Sequence, residues 1–234
     1  MSLLSKNTGW FLMDDKAIKF FTNESIIDFS NQIIGGSVGF NTGARFFLAG
    51  GVYKSLLTHC PPRDLDIWVP TEADRKLIIK NLLSMGAKKL HGNRYTKRYQ
   101  FKQNMIELPI NVESSLEKQL KNFDLVLSAI GVEYQPSHAP RVFLHPKINY
   151  SISRKVILLL DPLLNWRHAL TTLERMRRYA EELRFEVPPE EEEKTWSIFD
   201  KQTREIQNGM IERYLSASEQ KSTVLSESKI RLKN

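Results

Sequence analysis

Leu48-Ala49-Gly50-Gly51-Val52-Tyr53, followed after a short interval by Arg63-Asp64-Leu65-Asp66-Ile67-Trp68-Val69, is the stretch that decides the reading of this chain. Arg45-Phe46-Phe47-Leu48-Ala49 predicts a short apolar strand, and Gly50-Gly51 punctuates it. Residues 52–57 suit a short helix, which Pro61-Pro62 stops before a second strand at 64–69. Side chains alternate across a strand, so Asp64 and Asp66 share one face while Leu65 and Ile67 turn to the core. Two carboxylates side by side repel each other unless a cation lies between them, and a hard divalent ion such as Mg²⁺ (or Mn²⁺) is the usual partner. A Gly-Gly pair at a strand end, ahead of a helix, lets backbone N–H groups approach a phosphate closely. Lys54 and Ser55 stand next to that cradle. The plainer alternative has Asp64 capping a turn and Asp66 paired with Arg63.

Outward from this unit, Asp14-Asp15 opens an amphipathic helix with Ile18, Phe21, Ile26 and Phe29 on one side, and Gly35-Gly36-Ser37 and Asn41-Thr42-Gly43 read as turns. Thr71-x-x-Asp74 is a capping box with Asp in place of Glu, opening a helix that runs to Gly86. Strands are predicted at 95–101 and 105–112, with Gln103-Asn104 as a hairpin turn between them. A helix at 114–121, an apolar strand at 123–132 and a strand at 141–144 follow. Trp166, Leu170, Leu173, Met176, Ala180 and Leu183 then repeat at helical spacing, with Thr171-x-x-Glu174 as an internal cap and Pro188-Pro189 as the stop. Glu190 to Glu193 place negative charge where a further helix starts. The Ser-, Lys- and Glu-rich segment from 216 reads as a frayed tail.

The chain has 234 residues, 41% of them hydrophobic, which suits one or two globular domains with a real core. A net charge of +7 favours polyanionic partners. The single Cys60 makes neither an intramolecular disulfide nor a multi-cysteine zinc site. His59, His91, His138, His145 and His168 have no zinc-ligand spacing. No apolar run is long enough to span a bilayer, and Met1-Ser2-Leu3-Leu4 does not open a signal peptide, so an intracellular, cytoplasmic protein with no membrane partner is expected. From Arg75 to Met105 there are nine Lys or Arg and no acidic residue, interleaved with Tyr95, Tyr99 and Phe101. Such a segment suits triphosphate or RNA, with Lys97 and Arg98 as its foremost contacts, or else a solvated helix face and hairpin.

The ordered Gly-Gly, helix, Asp-x-Asp pattern resembles the signature of the DNA polymerase beta-like nucleotidyltransferase superfamily, which includes poly(A) polymerases, CCA-adding enzymes and aminoglycoside nucleotidyltransferases. The chain looks similar, in particular, to small nucleotidyltransferase-like proteins of phages, viruses and bacteria. These carry a Phe-Asp strand and a later Leu-x-Arg-x-x-Lys/Arg-Tyr helix, matched here by Phe123-Asp124-Leu125-Val126 and Leu173-Glu174-Arg175-Met176-Arg177-Arg178-Tyr179. The resemblance covers residues 46–187. It implies an α+β fold: a small mixed sheet with flanking helices and a helical C-terminal region that closes the cleft. With the composition of the C-terminal segment, the expected organisation is a nucleotidyltransferase-like core with an N-terminal helical segment at 1–150, a helical region at 151–215 and a flexible tail at 216–234.

By the same resemblance, two metals bridge a nucleoside triphosphate and the attacking hydroxyl, and pyrophosphate leaves. Asp64 and Asp66 are the implied ligands, completed by a third acid, with Glu107 the first choice and Asp124 the second. Gly50, Gly51, Lys54 and Ser55 receive phosphates; Arg175, Arg178 and Tyr179 lie on a helix that in related enzymes packs near the nucleotide. The acceptor is open among an RNA end, a protein and a small molecule. The alternative is an inactive nucleic-acid-binding or regulatory module that kept the fold.

Overall fold

The computed structural model describes residues 20–37, 42–58, 60–217 and 223–232. It is an α+β protein built on a seven-stranded mixed sheet. The strands are β1 (Phe46–Ala49), β2 (Leu65–Trp68), β3 (Lys88–Lys89), β4 (Thr96–Phe101), β5 (Asn104–Pro109), β6 (Ile130–Tyr134) and β7 (Arg141–Leu144), in spatial order β3-β4-β5-β2-β1-β6-β7. Among the seven described strands β2 and β5 pair in parallel, and the remaining neighbours in the sheet pair antiparallel.

Alternation along these strands splits the sheet into two faces. Phe46, Leu48, Leu65, Ile67, Ile106 and Leu108 point to one, where they join Ile26 and Ile34 of α1 (Asn23–Ser37) and Ile78 and Leu82 of α3 (Glu72–Ser84) in the main core. A single α-helical turn, α2 (Ser55–Thr58), adds Leu56 to it. On the opposite face, α4 (Leu116–Lys121) lays Leu116 and Leu120 over Phe47 and Ala49. That cover spans β1 and its neighbours, and Asp66 and Glu107 lie beside it on the same face. Thr71 caps α3 as expected, its hydroxyl accepting from Asp74 N–H, and Gly86 follows that helix at φ +88°.

After α5 (Ile148–Arg154), helices α6 (Ala169–Leu183), α7 (Pro189–Asp200), α8 (Arg204–Ala217) and α9 (Thr223–Arg231) form a second core. It gathers Leu170, Leu173, Trp196, Phe199, Met210 and Tyr214. The long helix α6 belongs to both cores: Leu170 and Leu173 face the second, Met176 and Tyr179 the first.

Several local expectations are corrected. The first helix begins at Asn23, and residues 14–19 lie outside the described residues; Gly35 and Ser37, read as a turn, belong to α1. The run 123–132 is not one strand. Residues 124–126 pair with 158–160, a 3-10 turn follows at Val126–Ser128, and β6 begins only at Ile130. An unbroken apolar run looks the same as a strand or as a buried turn. The hairpin turn is Lys102-Gln103, with Phe101 paired to Asn104. Thr171 is not a cap: it lies inside α6, and its hydroxyl, buried, has no protein partner. That helix ends on Arg184 at φ +55° rather than at Pro188. The frayed tail expected from 216 contains a helix instead, α9, which buries Val224 and joins Arg231 to Asp200.

Candidate functional site

The centre assembles where β1, β2 and β5 lie side by side. Gly50 closes β1 at φ +88° and ψ −145°, a conformation essentially restricted to glycine, with its N–H bonded to Ile130 O at 3.0 Å. A Cβ at Gly50 would stand 3.3 Å from the Phe123 ring, and one at Gly51 would stand 2.7 Å from the buried Tyr179 hydroxyl. Gly50 is therefore required by conformation and Gly51 by packing. The helix expected after them is one 3-10 turn, Gly51–Lys54, running into α2, so the dipole it offers a phosphate is that of a very short element.

Asp64 immediately precedes β2 and Asp66 lies on it. Parallel pairing sets Asp66 directly beside Glu107 of β5, and the next strand sets Arg98 beside Glu107. The three acids and Arg98 thus occupy one face. Arg63 pairs with Asp64, Nε to Oδ2 at 3.4 Å, and not with Asp66. Arg98 Nε meets Glu107 Oε1 at 2.7 Å, so Glu107 is turned to its cation. Burial first, then the charges of Asp64 and Glu107, push the Asp66 carboxyl up to about 7, opposed by Arg175 and Arg63.

Asp124 is engaged differently. Both of its carboxylate oxygens lie within 3.0 Å of Arg175 Nη1, and Thr172 donates to Oδ2 at 3.1 Å. The buried carboxylate clamps α6 to the segment ahead of β6, and Asp124 in turn holds the Arg175 guanidinium above its ordinary range. Lys97 leaves the site altogether: on β4 it alternates with Arg98 and so turns to the other face, where its ammonium stands 4.0 Å from Glu72 of α3.

Beside the carboxylates lies a cavity of about 630 Å³ lined by Gly51, Lys54, Ser55, Asp64, Arg178 and Tyr179. Four residues expected near phosphate, Lys54, Ser55, Arg178 and Tyr179, therefore meet Asp64 and Gly51 around one space. Lys54 lies 4.5 Å over the Tyr179 ring. Two residues escaped the sequence reading. Thr172 has no signal of its own, but Glu182, which ion-pairs with Lys54 in the cavity, does: an acid in the last turn of a helix opposes the helix dipole.

Among the described residues no three His, Cys, Asp or Glu side chains converge closely enough to hold a metal unaided. Asp64 and Asp66 still fit Mg²⁺, which is habitually held by one or two carboxylates together with substrate phosphates and water. Their hard oxygen donors, and the penalty that ionised Asp66 carries beside two other acids, are what such an ion relieves. Cys60, at the cavity rim, is exposed. No described helix is long and apolar enough to cross a membrane.

No protein-family model and no curated protein matches the chain. Solved structures do share the fold. A tRNA-processing enzyme in an apo form aligns with a TM-score of 0.58 at 17% identity, over 90% of this chain and 57% of its own. A tRNA nucleotidyltransferase bound to a primer tRNA and an incoming ATP analogue aligns at 0.56 and 17%, over 86% and 58%. The Thermotoga maritima CCA-adding enzyme, complexed with tRNA, aligns at 0.52 and 16%, over 93% and 52%. The chain thus spans little more than half the length of these structures.

Proposed function

We propose that the protein is a metal-dependent nucleotidyltransferase that moves a nucleoside monophosphate from a nucleoside triphosphate to an acceptor hydroxyl. The observation that carries this is a cavity lined by Asp64, Gly51, Lys54 and Arg178, with Asp66 two residues beyond Asp64 on β2 and set beside Glu107. The shared fold supports it, since the structures that align are named as nucleotidyltransferases or tRNA-processing enzymes, some of them complexed with CTP or ATP.

In this reading the backbone at Gly51 and the side chains of Lys54, Ser55 and Arg178 bind the triphosphate tail, and Tyr179 supports Lys54 from below. Asp64 and Asp66 would hold Mg²⁺, which when bound neutralises charge on the phosphate oxygens as it develops. The acceptor oxygen bonds to the α-phosphorus while the bond to the β-phosphate bridging oxygen breaks; pyrophosphate leaves and the hydroxyl proton passes to water. Arg175, fixed by Asp124 and Thr172, places a positive charge toward Asp66 and orders that wall of the site. The acceptor class this chemistry shares with the aligned enzymes is RNA, and the open cationic edge of the sheet at Lys88, Arg94 and Arg98 suits a polyanion.

The position of the label tests the reading. With α-labelled triphosphate and Mg²⁺, label passes to an RNA acceptor, whereas γ-label appears only in pyrophosphate; transfer of γ-label instead would make the protein a kinase. A second reading, a binding module without catalysis, draws on the Arg98–Glu107 pair, which occupies the third acid. It requires salt-dependent RNA binding that Asp64→Asn and Asp66→Asn leave intact, with no label transferred in either arrangement.

A further inference from the structure

Glu182 lies in the last turn of α6, where a carboxylate meets the negative end of the helix dipole. Its helical neighbour Arg178 stands four residues before it, the less favourable order for such a pair, with 3.8 Å between Nε and Oε1. Local energetics therefore disfavour an acid at this position. What holds the side chain is tertiary: its Oε2 accepts from the Lys54 ammonium, across from the Gly50-Gly51 turn. Lys54, Arg178 and Glu182 all line the 630 Å³ cavity together with Ser55 and Asp64. Two of the cations that line this space with Arg63 and Arg184, Lys54 and Arg178, are thus already matched by one carboxylate where phosphate oxygens would enter. All three side chains keep part of their surface in solvent, so the pair is exchangeable rather than locked.

We propose that Glu182 is a positioning residue of the phosphate subsite, an internal anion that holds Lys54 and Arg178 in place and that a polyphosphate must displace. This rests on the nucleotide reading of the cavity and adds a consequence to it. When pyrophosphate forms, the same carboxylate competes for the same cations and favours its departure. Glu182 weakens substrate and product binding alike and speeds turnover wherever release limits the rate.

The test compares wild type with Glu182→Gln, which keeps the length of the side chain and removes its charge. Calorimetric titration with ATP and, separately, with pyrophosphate, each with Mg²⁺, is expected to show roughly two- to fivefold tighter binding in the variant. Steady-state transfer is expected to show a lower KM and an unchanged or lower kcat. Adding Lys54→Met to Glu182→Gln removes the gain, because the freed ammonium is what the phosphate uses. If wild type binds ATP but Glu182→Gln binds it equally or more weakly, Glu182 merely braces the helix and the proposal is overturned, while the nucleotide reading stands. If neither protein binds ATP or pyrophosphate, the nucleotide reading falls and the proposal falls with it.

Discussion

At Asp66 the folded protein favours the protonated acid, since burial and the neighbouring carboxylates push its carboxyl up to about 7 from an ordinary value of 3.8. The sign follows from linkage: this preference stabilises the fold below about pH 4, is lost as pH rises toward 7, and leaves the ionised acid destabilising above that. In metal-free protein, Asp66→Asn is therefore expected to gain stability over wild type across that window and hold the gain above pH 7. The ceiling is roughly 4 kcal/mol, reduced by solvent relaxation. Urea melts from pH 4 to 8 in the presence of a chelator measure it, and saturating Mg²⁺ should narrow the gap. Gly51 gives a second residue-scale expectation. Gly51→Ala sets a methyl 2.7 Å from the Tyr179 hydroxyl and should cost about 1–3 kcal/mol. Tyr179→Phe removes that oxygen, so the double variant should recover most of the loss. A Gly51→Ala melt identical to wild type would contradict the packing described for the turn.

Among the elements, α6 carries the most consequence, because its two halves serve different cores and its middle is fastened by Asp124, Thr172 and Arg175. Asp124→Asn leaves the guanidinium without its counter-charge and is expected to lower stability by about 2 kcal/mol. Replacing both partners, Asp124→Asn with Arg175→Met, should cost less than the two single changes summed. The pair shows what sequence could and could not reveal. Phe123-Asp124 and the Arg175 helix are each visible as motifs, but the pairing of Asp124 with Arg175 depends on residues 51 positions apart being folded together. The alternation of β4 was visible too, and it already implies that Lys97 and Arg98 cannot reach the same face. The 123–132 run was misread because apolar character alone does not distinguish a strand from a buried 3-10 turn. The α9 helix was missed because its polar composition hides one buried apolar contact, Val224.

For the molecule as a whole, the strand-turn-strand unit around Gly50-Gly51 and Asp64-Leu65-Asp66 decided the fold class. The rest of the sheet follows from pairing partners onto both of its edges. At 16–18% identity, solved structures keep the same arrangement, so the fold is specified by pattern and packing more than by particular residues. The site is specified otherwise. Gly50 is fixed by its backbone conformation, Gly51 by the Tyr179 hydroxyl against it, and Asp66 and Glu107 by register across β2 and β5. The claim that joins these scales is that Asp66, beside Asp64, is present for chemistry at the expense of stability. The measurement that tests it most directly is nucleotidyl transfer from α-labelled triphosphate, followed in wild type and Asp66→Asn alongside their melting temperatures at pH 8. Transfer is expected to fall by about a thousandfold or more in Asp66→Asn while the variant melts at or above wild type. Transfer retained in Asp66→Asn, or lost only in step with a lower melting temperature, would contradict it.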